Sequence, residues 1–463
     1  MTARTTAPMS AEAAHDDGLD AERFPTLTAH GRQMLDFLRN HPHAPVYRNR
    51  SGNRLLAHEV EAQRAYEADI LAAPLGWTPG TPPDWVMPFV ARVFATVPHY
   101  RALGSPPRRL TDVAPVSRAD FAADVAQFVP DDVPLARMMH FRTTGTTGHP
   151  LLIPSHPVVA ARYAAYHKRA LARAGIVPAA GRGRVGVVLL GCQRRCFTYV
   201  SVSPAMDEAG LAKINLHPDD WRDPGDRARY LDALAPEIVA GDPISFAEYL
   251  TLPLRPETAP RALLSVSMQL LPGLRARLQA RFGCPVLDIY SLNEVGPVGV
   301  FDAAAGGHVL LQPRLYVEIL DAAGRPCAPG QAGEIAVTGG FNFCLPLLRY
   351  RTGDFGALAA GPDGPVLTGL SGRRPVRYLA RGAWINNIDV THVLLPFPLS
   401  HFNVHQRADA SVVLRLAAGA LPWAQEAAAA LARVFGTRVD VETLEADGKT
   451  LQYTSDMGGA HDG

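Results

Sequence analysis

No stretch of the sequence holds about eighteen consecutive apolar residues, the length a helix needs to cross a bilayer, so a helical membrane span is excluded. Charge of one sign is also missing. The 45 basic and 44 acidic residues are interspersed and leave a net charge of +1, which argues against a polybasic tract for nucleic acid or anionic lipid. Cysteine is scarce. Cys192, Cys196, Cys284, Cys327 and Cys344 are odd in number and scattered, which speaks against a disulfide framework and for a reducing compartment. Cys192 and Cys196 lie four apart with no second pair or histidine cluster to complete a zinc site, so they are expected as plain thiols. Residues 1–18 carry several acids and no apolar core, so they do not read as a secretory signal; a disordered lead-in is expected there. These absences point to a cytoplasmic protein with small-molecule partners, no nucleic acid and no membrane.

What is present is a globular chain of 463 residues, 47% hydrophobic, with 40 prolines and 40 glycines that mark many loops. That length suggests two domains. Val86, Phe89, Val90, Val93, Phe94 and Val97 repeat at helical spacing behind Asp84, an expected N-cap. A short helix is expected from Ser117, and a longer one over residues 158–174 that stops at Gly175. The continuous apolar run from Val185 to Leu190 fits a strand buried on both faces, as does the shorter run from Ile238 to Ala240. Leu271, Leu274, Leu278 and Phe282 mark one face of a helix closed by Gly283, and a strand resumes from Val286 to Ile289. Helices alternating with apolar strands predict an α/β fold with a mainly parallel sheet. Leu315 to Ile319 and Glu334 to Val337 read as an antiparallel pair in a β subdomain. After about residue 372 the pattern changes to strands at 401–406, 411–416 and 438–444 around an alanine-rich helix at 423–435, a small α+β domain.

His140 to Pro150 reads His-Phe-Arg-Thr-Thr-Gly-Thr-Thr-Gly-His-Pro. Glycines let the backbone approach a ligand closely, while hydroxyls and N–H groups can surround an anionic oxygen, so this stretch is a candidate phosphate cradle or an ordinary turn. It lacks the Gly-Lys-Ser/Thr ending of a Walker A loop. Tyr290-Ser291-Leu292-Asn293-Glu294 is expected just beyond the carboxyl end of a strand, where ligands of open α/β sheets gather.

These stretches, together with Leu345 to Asp354 and Gly372-Arg373 followed by Gly382, stand in an order that resembles the adenylate-forming superfamily of acyl-CoA synthetases, and especially its phenylacetate-CoA ligase-like branch. The segments Val97 to Arg101 and Ala114 to Arg118 resemble the same branch, so the likeness covers nearly all of the chain after about residue 85. The resemblance implies a large domain over residues 19–371, a mobile C-terminal lid over 372–463, and a reaction that joins a carboxylic acid to the AMP of ATP with magnesium. It further implies that Thr143, Thr144, Gly145, Thr146, Thr147 and Gly148 hold the phosphates, and that Glu294 holds the magnesium ion. Tyr290, with Ser291 beside it, would stack on adenine, Asp354 would accept the ribose hydroxyls, and Arg373 would add a ribose or phosphate contact. Lys449, in Asp447-Gly448-Lys449, would enter the site as the lid shuts; the same tripeptide also suits an exposed hairpin turn.

Departures from the family pattern bear on the second half-reaction. Ser267-Met268-Gln269 stands where Gly-Ala-Glu is usual, and Arg374-Pro375 replaces an acidic hinge residue with a ring that fixes φ near about −65°. Trp384 lies where the relatives keep a small polar residue along the path of the thiol. The acceptor is therefore left open among CoA, an amine, a hydroxyl and a carrier protein. Phe197 and Tyr199 are candidates for an aromatic acid pocket or for the core, and Arg194 and Arg195 for a second charge contact. A catalytically silent nucleotide-binding scaffold is the third alternative.

Overall fold

The computed structural model describes residues 21–142, 151–179, 181–192, 196–371, 376–394, 396–399, 401–444 and 451–457. Twelve strands of a 13-stranded sheet follow one another in the order Leu315–Leu320, Gly333–Gly339, Leu347–Gly361, Gly364–Ser371, Gly307–Leu310, Gly296–Asp302, Val286–Leu292, Ala262–Ser265, Ile238–Gly241, Val185–Gly191, Ala209–Asn215 and Tyr199–Ser203; the thirteenth, Val116–Ser117, pairs with Leu347–Gly361. The sheet has two characters. From Ala209–Asn215 to Val286–Leu292 neighbouring strands are parallel, as the continuous apolar runs require. From Val286–Leu292 to Leu315–Leu320 they are antiparallel. The expected β subdomain is thus an uninterrupted continuation of the parallel half.

Helices pack on this sheet where their apolar stripes predict. Pro157–Arg173 ends before Gly175, at φ +72°, and Pro272–Phe282 ends on Gly283, at φ +62°, a conformation a glycine C-cap adopts without strain. The helix Val86–Thr96 buries Val86, Val90, Val93 and Phe94, but its N-cap is Trp85, with no side-chain cap. Asp84 was expected in that role; the bond from Val86 N–H to the Pro83 carbonyl forms a turn one residue too late for the aspartate to serve. Phe89 is only half-buried.

A small α+β unit follows. Its four strands run in the order Val439–Thr443, Val412–Leu416, Phe402–Gln406 and Tyr453–Ser455, with the helix Ala424–Phe435 packed on them through Ala427, Leu431 and Phe435. Leu271, at the start of the Pro272–Phe282 helix, is buried in the core of this unit, and a Cβ at Gly273 would lie only 3.0 Å from the backbone of Phe397 and Pro398. The two parts therefore share packed surface beside one helix terminus. The domain boundary expected at 371/372 abuts residues 372–375, which lie outside the described residues.

Beneath Tyr290 the Val286–Leu292 strand carries Asp288, buried and 3.7 Å from Arg275. Burial pushes its carboxyl up to about 7, although Arg275 pulls it back. The folded pKa lies above the ordinary value near 3.8, so the folded chain keeps a proton that the unfolded chain releases. This contribution to stability is complete below about pH 3.8 and is lost as pH rises through about 7. In urea titrations at pH 4.5, 6 and 7.5, Asp288→Asn is expected to flatten that decline by on the order of 2 kcal/mol. A variant whose pH slope matches the wild type contradicts this account.

Candidate active site

The site is assembled around the long strand Leu347–Gly361. Val116–Ser117 lies parallel to it, with Val116 opposite Tyr350 and Ser117 opposite Arg351. Ser117 then caps the helix Arg118–Ala123: its hydroxyl accepts from Ala119 N–H, and Asp120 reaches back to accept from Ser117 N–H at 2.7 Å. Phe121 of that helix stacks on Tyr350, with ring centroids 4.9 Å apart and planes 6° from parallel. The cap and the stack together direct Arg118 towards Glu294.

Glu294 is 5% exposed and lies in the turn after the Val286–Leu292 strand. Arg118 Nη1 donates to its Oε1 at 3.0 Å, and the Tyr350 hydroxyl donates to the same oxygen at 3.3 Å. Burial, then the Glu294 charge, hold the Tyr350 hydroxyl well above its ordinary range, so it serves as a donor. Tyr163 is shifted the same way by the same two causes and donates to the Asn293 carbonyl at 3.0 Å, fixing the turn. Gly296 follows at φ +80°, and a Cβ there would lie 2.4 Å from Phe341; only glycine fits.

Four residues beyond Tyr350, Asp354 accepts a 2.8 Å hydrogen bond from the Tyr290 hydroxyl. Burial, then the Asp354 charge, push that phenol well above its usual range, so the proton stays on Tyr290 and the carboxylate is the acceptor. Thr352 donates to the Ile335 carbonyl at 2.9 Å and accepts from Asp354 N–H at 3.1 Å, which sets the bend that presents Asp354. In the sheet, three strands separate Tyr290 from Asp354. Four steps of about 4.8 Å in a flat sheet exceed what a tyrosine and an aspartate can span, so the antiparallel half must curl until its first and fifth strands face each other.

The stems of the Thr/Gly loop converge on the same place. Met139–Arg142 and Leu152–Ser155 are antiparallel, with Arg142 opposite Leu152. The Asn342 amide donates to the Pro154 carbonyl at 2.9 Å, and Phe341 packs edge-on against Tyr163. The base of the loop is therefore tied to the segment that abuts the Glu294 turn. Thr143, Thr144, Gly145, Thr146, Thr147 and Gly148 themselves lie outside the described residues, as do Arg194, Arg195, Arg373, Pro375 and Lys449.

No family model matches the chain. In sequence it is similar to phenylacetate-coenzyme A ligases: 32% identical to that of Pseudomonas putida over 24% of this chain and 26% of the relative, and 25% identical to that of Thermus thermophilus over 70% and 77%. For Escherichia coli the figures are 28% identity over 29% of this chain and 32% of the relative, so the first matches span only about a quarter to a third of those ligases' lengths. In structure it is similar to a 2-hydroxyisobutyryl-CoA ligase in the postadenylation state in complex with R3-HIB-AMP, with TM-score 0.59 and 18% identity over 86% of this chain and 90% of the other. The chain has the adenylate-forming ligase fold.

Within this adenylate-forming fold Tyr290 meets Asp354 through their hydrogen bond, Ser291 follows Tyr290 in the same strand and Glu294 lies in the turn after it, with one correction of position. The Val286–Leu292 strand continues through Tyr290 and Ser291 because Ser291 pairs with Pro297, so only Asn293 and Glu294 lie beyond it. Phe197 is 52% exposed and does not line a closed pocket, whereas Tyr199 is half-buried in a strand. Ser267 adopts φ +72° in the turn after the strand Ala262–Ser265, beside the strand of Tyr290. Burial pushes the Cys192 thiol up to about 12, and among the described residues no group of three His, Cys, Asp or Glu side chains is arranged to hold a metal ion. Arg118 and Tyr350 carry no role from sequence reasoning; both stand inside motif segments, but spacing singles out neither. No helix among the described residues is long and apolar enough to cross a membrane.

Proposed function

We propose that this protein uses ATP and magnesium to activate a carboxylic acid. A carboxylate oxygen attacks the α phosphorus, the bond to pyrophosphate breaks, and an acyl adenylate remains; a nucleophilic acceptor, CoA first among the candidates, then takes the acyl group and AMP leaves. The observation that carries this reading is the clasp between Tyr290 and Asp354 beside the buried Glu294, on the strand ends where such sheets bind nucleotides.

Asp354 holds the ribose, its carboxylate oriented by the hydrogen bond it accepts from the Tyr290 hydroxyl, and the Tyr290 ring offers a face to adenine. Glu294 suits magnesium, which needs only one or two protein carboxylates when phosphates and water complete its shell. The pairing of Glu294 with the Arg118 cation already marks it as a seat for positive charge. Thr143, Thr144, Thr146 and Thr147, with Gly145 and Gly148, would cradle the leaving phosphates; Arg373 would steady the ribose, and Lys449 would bridge the attacking carboxylate and the α phosphate. Phenylacetate, the acid in the relatives' names, and other compact or aromatic acids are the first to test.

The experiment is pyrophosphate exchange across a panel of acids, then product analysis with CoA. Exchange absent with every acid despite measurable ATP binding would favour a silent scaffold. Tyr290→Phe is expected to raise the KM for ATP about tenfold with kcat changed less than threefold, as befits loss of one charged hydrogen bond that orients Asp354. An unchanged KM would remove Tyr290 from the nucleotide site.

A second reading concerns the acceptor. Trp384 is 49% exposed on the hairpin formed by Arg377–Ala380 and Ala383–Asn386, opposite Leu379. An indole presented to solvent there would narrow the way in for a pantetheine arm and favours delivery to an amine, hydroxyl or carrier protein. Efficient CoA thioester formation with the acid that drives exchange decides against it.

A further inference from the structure

We infer that Tyr350 is a positioning residue for the divalent cation: together with Arg118 it occupies Oε1 of Glu294 and so leaves Oε2 as the single oxygen that this carboxylate offers to the metal. The inference rests on Glu294 as the magnesium carboxylate and adds which of its atoms is free and what decides this.

A carboxylate oxygen has two lone-pair directions, and both are taken at Oε1, by Arg118 Nη1 at 3.0 Å and by the Tyr350 hydroxyl at 3.3 Å. Oε2 takes no hydrogen bond among the described residues yet keeps contact with solvent, although the side chain as a whole is 5% exposed. One oxygen is satisfied by the protein and the other is open, the division expected of a carboxylate that takes a ligand through one atom. The backbone on either side is also held. Tyr163 donates to the Asn293 carbonyl at 3.0 Å, and the Gln312 amide donates to the Val295 and Pro297 carbonyls at 2.9 and 2.8 Å. With the turn fixed, the carboxylate exchanges its two oxygens only by breaking both bonds to Oε1. Tyr350 has no room to turn away: it is 1% exposed, Phe121 lies parallel to its ring, and Phe128 packs edge-on against Phe121 at 4.7 Å. Among the described residues Oε1 is the sole acceptor of its hydroxyl. Magnesium suits this arrangement because it demands near-octahedral geometry and completes its shell with phosphate and water, so one oxygen from Glu294 is enough.

Calorimetric titration of the full-length protein with ATP, once in EDTA and once with Mn2+, tests this, because the ratio of the two dissociation constants gives the gain in affinity due to metal. Tyr350→Phe keeps the ring and its stack and removes only the hydroxyl. It is expected to bind metal-free ATP within about twofold of wild type, while the gain from Mn2+ falls about tenfold. A merely structural role would weaken both titrations together, and that outcome, or a gain within about twofold of wild type, overturns the inference. Should Tyr350→Phe melt well below wild type, Phe121→Leu carries the test: the hydroxyl stays but its ring is loosened, so the gain falls about threefold, and a wild-type gain refutes the proposal. Glu294→Gln separates the two levels. If it keeps the full gain, or if the wild type shows none, Glu294 is not the metal carboxylate and the site reading itself falls. If it loses the gain while Tyr350→Phe keeps it, only the positioning role is refuted.

Discussion

Glu294→Gln is expected to lower the rate of pyrophosphate exchange at least about a hundredfold while the protein melts within a few degrees of wild type. The substitution keeps size, shape and one acceptor oxygen, so Tyr350 and Arg118 can still donate to the turn, and Tyr163 still fixes Asn293. Only the charge is removed. That charge matters most as negative charge gathers on the departing pyrophosphate, so the loss should fall mainly on kcat, with a smaller rise in the KM for ATP. Exchange measured with saturating acid across a range of Mg2+ concentrations checks this. A rate within tenfold of wild type at every Mg2+ concentration would remove Glu294 from the chemistry.

The largest effect on stability is expected at Arg349. This side chain is 1% exposed, and its guanidinium donates to Glu318 at 3.2 Å, to the Val113 and Thr111 carbonyls at 2.9 and 3.3 Å, and to the Gly324 carbonyl at 2.9 Å. It also sits at φ +46°, a left-handed conformation that costs a non-glycine residue about 1–2 kcal/mol and persists only where surroundings impose it. Burial raises the Glu318 carboxyl and Arg349 draws it back, so the carboxylate depends on this one cation. Arg349→Met fills similar volume but leaves Glu318 and three carbonyls without their donor; a loss of about 3–5 kcal/mol is expected. Urea denaturation measures it, and adding Glu318→Leu should recover part of the loss because the orphaned charge is then gone. A loss below about 1 kcal/mol would show that the network is solvated and not structural. The segment held through Thr111 and Val113 leads directly to Val116–Ser117 and Arg118, so the same anchor also positions the candidate site.

Local chemistry was legible in the sequence wherever one residue type decides the outcome. Gly175 and Gly283 end their helices as expected, and the apolar run at Val185 becomes a strand flanked by parallel neighbours. What composition and spacing do not carry is pairing. The strand expected to end at Ile289 runs to Leu292 because Gly296–Asp302 folds back along it, and the β subdomain joins the parallel half edge to edge. The same limit governed the site. Tyr290, Glu294 and Asp354 were named from motif resemblance and meet in one place, but Arg118 contacts a residue 176 positions away through a two-residue strand that no periodicity reveals.

The clasp between Tyr290 and Asp354 spans strands that are not neighbours, and this ties ligand affinity to the bending of the sheet. Register shifts between Pro297 and Gly299 and between Phe355 and Ala357 lie next to the two clasped residues, and such bulges steepen local twist. On the proposed reading, residues in the intervening strands that never touch nucleotide would set how well it is gripped. Nucleotide affinity would then be a gauge of curvature: a relaxed sheet would surrender its ligand while every helix remained intact.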